Sequence, residues 1–326
     1  MFERQVAIDA VLQAIQLCQR VQAEMADSDS VDKSDGSPVT VADFGSQAII
    51  CRIISDKFPD DAIVAEEDSQ ALRKDSTLLD RVASFVSQQG EDTSLQAVCD
   101  WIDRGRGKIG QRFWTLDPID GTKGFLRGDQ YAIALALIVN GVVQLGVLGC
   151  PNLRQKWKTA GGERGCLFAA ERGNGTHMLS LDGRIKEPVR VSHTVHCLAE
   201  SFESAHGDRA ANASIARNLK FTEPPIRVDS QAKYGLIARG EASVYIRLPH
   251  PITPDRHECI WDHAAGLIVV EEAGGMVSDA DGKRLDFLQG RRFTANRGIV
   301  ATNGVMHPHV LEGVRLHSNA GSGPPF

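Results

Sequence analysis

The sequence predicts a mixed α/β protein built as two domains. The chain has 326 residues, more than one hydrophobic core usually covers. Two β-rich runs, residues 132–139 and 142–148, flank Asn140-Gly141, the strongest short signal for a β-hairpin. In the second half of the chain, short strands alternate with helical segments. We therefore expect an N-terminal α+β domain over residues 1–175 and a C-terminal α/β domain over residues 176–326.

The remaining elements follow from the hydrophobic pattern and its breakers. Residues 1–25 carry apolar side chains near a helical period, which predicts a first helix. A second helix is expected from Val41 towards Phe58, ending before Pro59 because proline breaks a helix. Further strands are expected at residues 62–65, 112–116, 167–170, 189–192, 244–248 and 300–302. Further helices are expected at residues 210–218, 230–238 and 261–273, and another from about residue 307. The tail 319–326 is rich in Gly, Ser and Pro and is expected to be disordered.

Charge, cysteine content and the hydrophobic pattern argue against several classes of protein. The net charge of −6 provides no general attraction to nucleic acid or to an anionic membrane. The seven cysteines are scattered and odd in number, so neither a disulfide framework nor a zinc site is expected. Residues 1–25 lack the pattern of a secretory signal, and the apolar stretch 131–149 is interpreted as the hairpin rather than a membrane span. We expect a cytoplasmic monomer acting on a small molecule, with no nucleic-acid or membrane partner.

The chemistry is indicated by residues 117–122, which read Asp-Pro-Ile-Asp-Gly-Thr directly after a predicted strand. Pro118 stiffens the backbone between two carboxylates, and Gly121 relaxes it so that Thr122 can point into the same space. Magnesium prefers oxygen ligands at about 2.1 Å, which Asp117, Asp120 and the carbonyl between them offer. The segment contains no Cys or His, which argues against zinc. It therefore predicts a magnesium site that binds phosphate oxygens and acidifies a water.

Three segments together resemble the inositol monophosphatase superfamily. They are Glu-Glu-Asp at 66–68, Trp-Thr-Leu-Asp-Pro-Ile-Asp-Gly-Thr at 114–122, and the run from Trp-Asp-His-Ala-Ala-Gly at 261–266 to Glu-Ala-Gly-Gly at 272–275. Within the superfamily the chain is most similar to the 3′(2′),5′-bisphosphate nucleotidases. That similarity lies in Ser-Pro-Val-Thr-Val-Ala-Asp at 37–43, Lys-Gly-Phe-Leu-Arg-Gly at 123–128, Val-Asp-Ser-Gln-Ala-Lys-Tyr at 228–234 and Val-Tyr-Ile-Arg-Leu-Pro at 244–249.

The resemblance implies a fold, a cofactor and a reaction. The fold would be a five-layered α-β-α-β-α sandwich of the inositol monophosphatase and fructose-1,6-bisphosphatase type. The cofactor would be two or three Mg²⁺ ions, with inhibition by lithium and often sodium. The reaction would be hydrolysis of 3′-phosphoadenosine 5′-phosphate to AMP and phosphate, with 3′-phosphoadenosine 5′-phosphosulfate open as a second substrate.

The resemblance also assigns roles to residues of this chain. Asp43 resembles the general base that acts with the Thr122 hydroxyl, since a hydroxyl held by a carboxylate can accept the proton of an attacking water. The residues that resemble metal ligands are Glu66, Asp117, Ile119 (through its carbonyl), Asp120 and Asp262. The residues that resemble the substrate-binding set are Gly121, Thr122, His206, Ser230, Lys233, Arg247 and Asp262. Ser230 and Lys233 are expected one turn apart on a single helix.

Several alternatives stay open at this point. The nearest keeps the metal site and takes an inositol phosphate, as an inositol polyphosphate 1-phosphatase acting on inositol 1,4-bisphosphate. A different class is a non-catalytic nucleotide-binding regulatory protein, which would lack part of the metal or base set. For Lys123 and Arg127 the alternatives are a role in receiving an anionic substrate and a place on a solvated face, and the second is slightly favoured. The proline-rich insertion Pro249–Glu258 departs from the branch near Asp262.

Overall fold

The structure is a computed structural model that describes residues 2–25, 30–32, 38–88, 93–156, 162–202, 208–249 and 257–320. Its α-helices are α1 (Phe2–Glu24), α2 (Val41–Lys57), α3 (Ser76–Ser87), α4 (Leu95–Asp103), α5 (Thr122–Leu126), α6 (Arg209–Asn218), α7 (Ala232–Ala238), α8 (Ala264–Glu272) and α9 (His307–Ala320). Its strands are β1 (Ser30–Asp32), β2 (Pro38–Thr40), β3 (Ala62–Ala65), β4 (Arg112–Asp120), β5 (Ala132–Val139), β6 (Val142–Arg154), β7 (Arg164–Glu171), β8 (Thr176–Ser180), β9 (Lys186–Val189), β10 (Leu198–Glu200), β11 (Ile226–Arg227), β12 (Val244–Arg247), β13 (Met276–Ser278) and β14 (Ile299–Thr302).

Two larger sheets organise the molecule. A seven-stranded sheet has the order β3-β4-β5-β6-β7-β8-β9, and a five-stranded sheet has the order β11-β10-β12-β14-β13. Helices α1 and α2 cover one face of the first sheet, α7 and α8 lie between the sheets, and α6 and α9 cover the far face of the second. The predicted five-layered α-β-α-β-α sandwich is confirmed.

The hairpin around Asn140-Gly141 is confirmed and forms the centre of the first sheet. Strands β5 and β6 pair antiparallel, and both turn residues have a positive φ, 50° at Asn140 and 75° at Gly141. Strand β5 is apolar at nearly every position because helical layers cover the sheet on both faces. The apolar stretch is therefore explained by burial in this core.

The small residues of the central strands let α8 approach closely. Gly146 of β6 stands in register with Ala136 on one side and Ala170 on the other. A Cβ at Gly146 would lie 3.0 Å from the carbonyl oxygen of Ala265 and would overlap Ile268, so α8 rests directly on this glycine. The start of α8 is thus held against the sheet that carries the acidic segment.

Some predicted boundaries are wrong. Strand β4 does not stop at Leu116 but continues to Asp120, because β5 resumes pairing at Asp120 after an irregularity between Asp117 and Asp120. Pro118 lies inside that irregularity, where its missing N–H costs no ladder hydrogen bond. The strand expected at 189–192 ends at Val189 instead, since β9 pairs with β8 only up to that residue.

Two of the predicted helices begin later than expected. Helix α7 starts at Ala232, because Ser230 has a φ of 70° and cannot belong to a helix. Helix α8 starts at Ala264, three residues after Trp261. At the C-terminus, residues 319 and 320 belong to α9, whereas the rest of the predicted disordered tail lies outside the described residues.

The boundary at residue 175 stays a prediction. The seven-stranded sheet continues past that residue through β8 and β9, so a boundary near residue 190 would keep the sheet whole. Across the described ranges, no helix combines the length and the apolar character needed to cross a membrane.

Candidate active site

A cavity of about 150 Å³ opens where the ends of β3, β4 and β12 meet the starts of α5, α7 and α8. Most of the predicted site residues line it: Glu66, Asp117, Ile119, Asp120, Gly121, Thr122, Ser230, Lys233, Arg247 and Asp262. They come from both halves of the chain, which the five-layered fold brings together. His206 and most of the insertion at 249–258 lie outside the described residues.

The acidic wall of the cavity is built at one edge of the first sheet. Strands β3 and β4 are parallel, with Ala65 opposite Leu116, so Glu66 just after β3 and Asp117 within β4 lie at the same level. Asp120 follows after the irregularity in β4, and Asp262 enters from the segment before α8. Four carboxylates thereby converge from three separate parts of the chain.

Burial and the neighbouring carboxylates disfavour the charged form of Asp117. Burial raises the pKa of Asp117 well above its usual range, and the charges of Glu66, Asp120 and Asp262 raise it further. Oδ1 of Asp117 has no hydrogen-bond partner among the residues that the structure describes. A buried, unpaired carboxylate oxygen is costly, and a cation removes that cost. The all-oxygen character of this wall fits a hard divalent cation.

The predicted base and its partner do meet. Asp43 lies in the first turn of α2 and is 1% exposed. Thr122 Oγ1 lies 3.3 Å from Asp43 Oδ1 and 3.2 Å from the carbonyl oxygen of Ile119. Thr40 caps α2, and its hydroxyl donates to Asp43 Oδ2 at 2.6 Å. The cap therefore holds the carboxylate that faces the Thr122 hydroxyl.

The segment 117–122 is anchored from both sides. Ser46 Oγ on α2 donates to the carbonyl oxygen of Pro118 at 2.9 Å. Gly121 has a φ of 90°, and a Cβ there would lie 3.2 Å from the Cβ of Ser230. Glycine is required both by this backbone conformation and by the close approach of the two halves.

Cationic side chains line the same cavity. Lys233 on α7 is 3% exposed, and burial lowers its pKa to about 8 against the attraction of Asp120. Its Nζ lies 3.3 Å from the carbonyl oxygen of Val228 and 5.2 Å from the ring centre of Tyr245. The prediction that Ser230 and Lys233 share a helix is wrong, but the turn at Ser230 still places both side chains on the cavity.

Arg247 is paired within the protein. Its Nη2 lies 2.8 Å from Glu258 Oε2, and the side chains of the two residues are only 18% and 14% exposed. Burial works to lower the pKa of Arg247, but Glu258, Tyr245, Asp262 and Asp120 together more than offset this and raise that pKa. Ligand atoms of Glu258, Asp262 and His263 lie within 4.8 Å of one another. Tyr234 also contacts His263, with its hydroxyl 2.7 Å from Nδ1.

Sequence reasoning missed several residues of this site. Asp229, Gln231 and Tyr245 line the cavity, and Glu258 pairs with one of its cations. The first two lie within the segment 228–234 that was singled out, so its polar residues were the available signal. Tyr245 lies in the other segment that was singled out, 244–249, whereas Glu258 offered no signal, because only its pairing with Arg247 ties it to the site.

Arg127 does not lie on a plain solvated face. Its Nη2 forms a 2.5 Å ion pair with Asp229, whose side chain is 3% exposed. Its guanidinium also lies 5.3 Å from the ring centre of Phe202. The loop after α5 is thereby tied to the segment that precedes α7.

The chain belongs to the inositol monophosphatase family, whose model matches residues 3–318. Among its relatives, a 3′(2′),5′-bisphosphate nucleotidase of Oryza sativa is 43% identical, over 96% of this chain and 93% of that protein. A 3′(2′),5′-bisphosphate nucleotidase 1 of Arabidopsis thaliana is 44% identical, over 96% of this chain and 95% of that protein. Both the superfamily and the branch suggested by the motifs are confirmed as resemblances.

Solved structures agree on the fold. An inositol monophosphatase from Thermotoga maritima superposes with a TM-score of 0.66 at 24% identity, covering 98% of this chain and 99% of that one. The extragenic suppressor protein suhB from Bartonella henselae gives a TM-score of 0.66 at 21% identity, covering 97% and 99%. The family is generally metal-dependent, and the acidic wall described above suits that property.

Proposed function

We propose that this protein is a magnesium-dependent 3′(2′),5′-bisphosphate nucleotidase that hydrolyses the 3′-phosphate of 3′-phosphoadenosine 5′-phosphate, giving AMP and phosphate. One observation carries the proposal: a single cavity joins the acidic wall, in which Asp117 is buried, to two cations, the buried Lys233 and the partly buried Arg247. The names of relatives at 40% identity and above support the same substrate class.

The acidic wall would hold the metal through Glu66, Asp117, the carbonyl of Ile119, Asp120 and Asp262. Bound there, Mg²⁺ would offset charge on the phosphoryl group and make a water more acidic. Oxygen ligands alone, with the unpartnered Oδ1 of Asp117 among them, suit this ion. We propose two or three such ions, with lithium and sodium competing for the site.

The chain's own residues would move the proton and hold the nucleotide. The Thr122 hydroxyl, facing Asp43, would accept a proton from the attacking water while passing its own to the carboxylate. The water oxygen would bond to phosphorus as the phosphorus–oxygen bond to the ribose breaks. The 3′-oxygen would take a proton from solvent, and Asp43 would return its proton to solvent. Lys233 and Arg247 would bind the 5′-phosphate, with Ser230 and Gly121 at the turn beside it. His206 stays a predicted nucleotide contact.

The test is phosphate release from a substrate panel at equal concentration. The panel contains 3′-phosphoadenosine 5′-phosphate, 3′-phosphoadenosine 5′-phosphosulfate, AMP and inositol 1,4-bisphosphate, each with Mg²⁺, with EDTA, and with Mg²⁺ plus Li⁺. We expect the fastest release from 3′-phosphoadenosine 5′-phosphate, none from AMP, loss with EDTA and inhibition by lithium. Faster release from inositol 1,4-bisphosphate would replace the nucleotidase by the inositol phosphatase alternative. Binding without any turnover would favour the non-catalytic alternative.

A further inference from the structure

Gln231 bonds to two of the three parts of the chain that build the acidic wall. It precedes α7 and is 2% exposed. Its backbone N–H donates to Asp120 Oδ2 at 2.6 Å. Its side chain donates from Nε2 to the carbonyl oxygen of Trp261 at 2.9 Å, and its Oε1 accepts from the N–H of Gly266 at 3.1 Å. Gln231 therefore bonds to Asp120 on β4, to Trp261 just before α8, and to Gly266 in the first turn of α8.

That second segment contains Asp262. The two side-chain bonds of Gln231 hold the residue before Asp262 and a residue in the first turn of α8. Gly266 also lets α7 and α8 pack without a gap, since a Cβ there would overlap the ring of Tyr234. Asp262 therefore cannot shift relative to the start of α7 unless these buried hydrogen bonds break.

A fixed separation matters because the two carboxylates repel each other. Burial raises the pKa of Asp262 well above its usual range, and Asp120 is among the charges that raise it further. Before a cation binds, this repulsion pushes the two groups apart. If the fold already holds the two carboxylates at the right separation, cation binding does not have to supply the free energy needed to bring them together.

We propose that Gln231 is a positioning residue that sets the separation between Asp120 and Asp262 for a divalent cation. The inference rests on the proposed function only in taking these two carboxylates as metal ligands. It predicts an effect on metal affinity beyond the effect on stability that any buried amide has. Substitution of a buried amide that serves only the fold would lower stability and leave metal affinity unchanged.

Asn303 provides a matched control. It is 1% exposed, its Nδ2 donates to the carbonyl oxygen of Ser192 at 2.7 Å, and its Oδ1 accepts from the N–H of Met306 at 3.0 Å. It therefore makes the same two kinds of bond as the side chain of Gln231, and it does not line the cavity. The substitutions Gln231→Met and Asn303→Leu each remove both bonds while keeping a similar volume.

The experiment titrates Mn²⁺, a spectroscopic substitute for Mg²⁺, into the full chain without nucleotide and follows the free ion by electron paramagnetic resonance. Thermal unfolding without metal is measured on the same samples. We expect both variants to unfold at lower temperature, but only Gln231→Met to bind Mn²⁺ more weakly, by about tenfold, as is typical for residues that orient metal ligands. Its phosphate release should recover towards the wild-type rate at high Mg²⁺.

The outcomes separate this inference from the proposed function. Wild-type Mn²⁺ affinity in Gln231→Met, or an equal loss in Asn303→Leu, would overturn the positioning role alone. Absence of Mn²⁺ binding by the wild type, or unchanged binding by Asp120→Asn, would overturn the metal site and the proposed function with it. If Gln231→Met does not fold, Gln231→Asn decides, because its side chain is one methylene too short to reach both partners.

Discussion

At the scale of single residues, Lys233 and Arg247 partly counteract the effect of burial on a carboxylate of the site. Asp120 illustrates this balance: burial raises its pKa, and the two cations lower it in part. Lys233 is itself affected, with a pKa lowered to about 8 mainly by burial. The charge of this ammonium group therefore changes within the range in which enzymes are assayed.

We expect nucleotide binding to weaken as the pH rises through about 8, because Lys233 then loses its proton. KM for 3′-phosphoadenosine 5′-phosphate should rise by on the order of tenfold per pH unit above that value. Lys233→Ala should raise KM at pH 7 by about 10- to 100-fold, as expected for losing a hydrogen bond to a charged group, and should abolish the pH dependence. Steady-state kinetics from pH 6.5 to about 9.5 would measure both.

Lys186→Ala is the control, since Lys186 is exposed on β9. It should leave KM unchanged at every pH, and a pH-independent KM in the wild type would contradict the role given to Lys233.

The stability of the protein should change with pH in the opposite direction from nucleotide binding. The folded pKa of Lys233, about 8, lies below its ordinary 10.5, so the unfolded chain holds more protons between these values and the free energy of unfolding rises with pH across that window.

At the scale of elements, the start of α2 serves the fold and the proposed chemistry together. Thr40 caps the helix by accepting from the N–H groups of Ala42 and Asp43, and Asp43 in turn accepts from the backbone N–H and hydroxyl of Thr40. This reciprocal arrangement is a capping box. It leaves Asp43 Oδ1 directed at Thr122, so a local helix signal orients the proposed base.

Thr40→Ala should destabilise the protein by about 1 kcal/mol, the usual cost of a lost N-cap. It should also lower kcat by on the order of tenfold, because Asp43 loses a hydroxyl donor and general-base catalysis typically supplies about 10²- to 10⁴-fold. Ser94→Ala removes the cap of α4, where Ser94 Oγ accepts from Ala97 at 3.2 Å. Denaturant unfolding should show a similar loss for both, with kcat unchanged in Ser94→Ala. An unchanged kcat in Thr40→Ala would remove the link between cap and base.

At the scale of the whole molecule, α8 joins the two sheets and brings Asp262 to the cavity. It packs on β5, β6 and β7 of one sheet and on β13 of the other. The contact with the first sheet depends on Gly146, whose neighbours in register are alanines. The position of Asp262 is therefore set by how closely two layers approach.

Gly146→Ala should destabilise the protein by about 1–3 kcal/mol through overpacking, and should weaken Mn²⁺ binding because it pushes the start of α8 outward. Gly149→Ala is the control on the opposite face of β6, where a Cβ would lie 2.7 Å from Cδ1 of Ile15 on α1. Denaturant unfolding should detect a loss in both variants, while Mn²⁺ titration should change only for Gly146→Ala. Equal affinities would show that α8 does not transmit the displacement to Asp262.

The sequence by itself determined what depends on short-range patterns. Hydrophobic period, Asn140-Gly141 and Pro59 predicted most helices and the central hairpin, since propensity and turn chemistry act within a few residues. The segment 117–122 indicated metal and phosphate, and motif order indicated the family. Boundaries failed where tertiary pairing overrode the local pattern, as when β5 extended β4 to Asp120.

Only the tertiary structure decided how the distant groups meet. The contact of Asp43 with Thr122 joins residues 79 positions apart in the chain. The burial of Lys233 and the pairing of Arg247 with Glu258 likewise depend on how separate elements pack. Linear spacing carries no information on such contacts, because they depend on which layers pack together and how closely. The same reason explains why Gln231 showed no special role in sequence: its hydrogen bonds to Asp120 and to the start of α8 exist only once the layers have assembled.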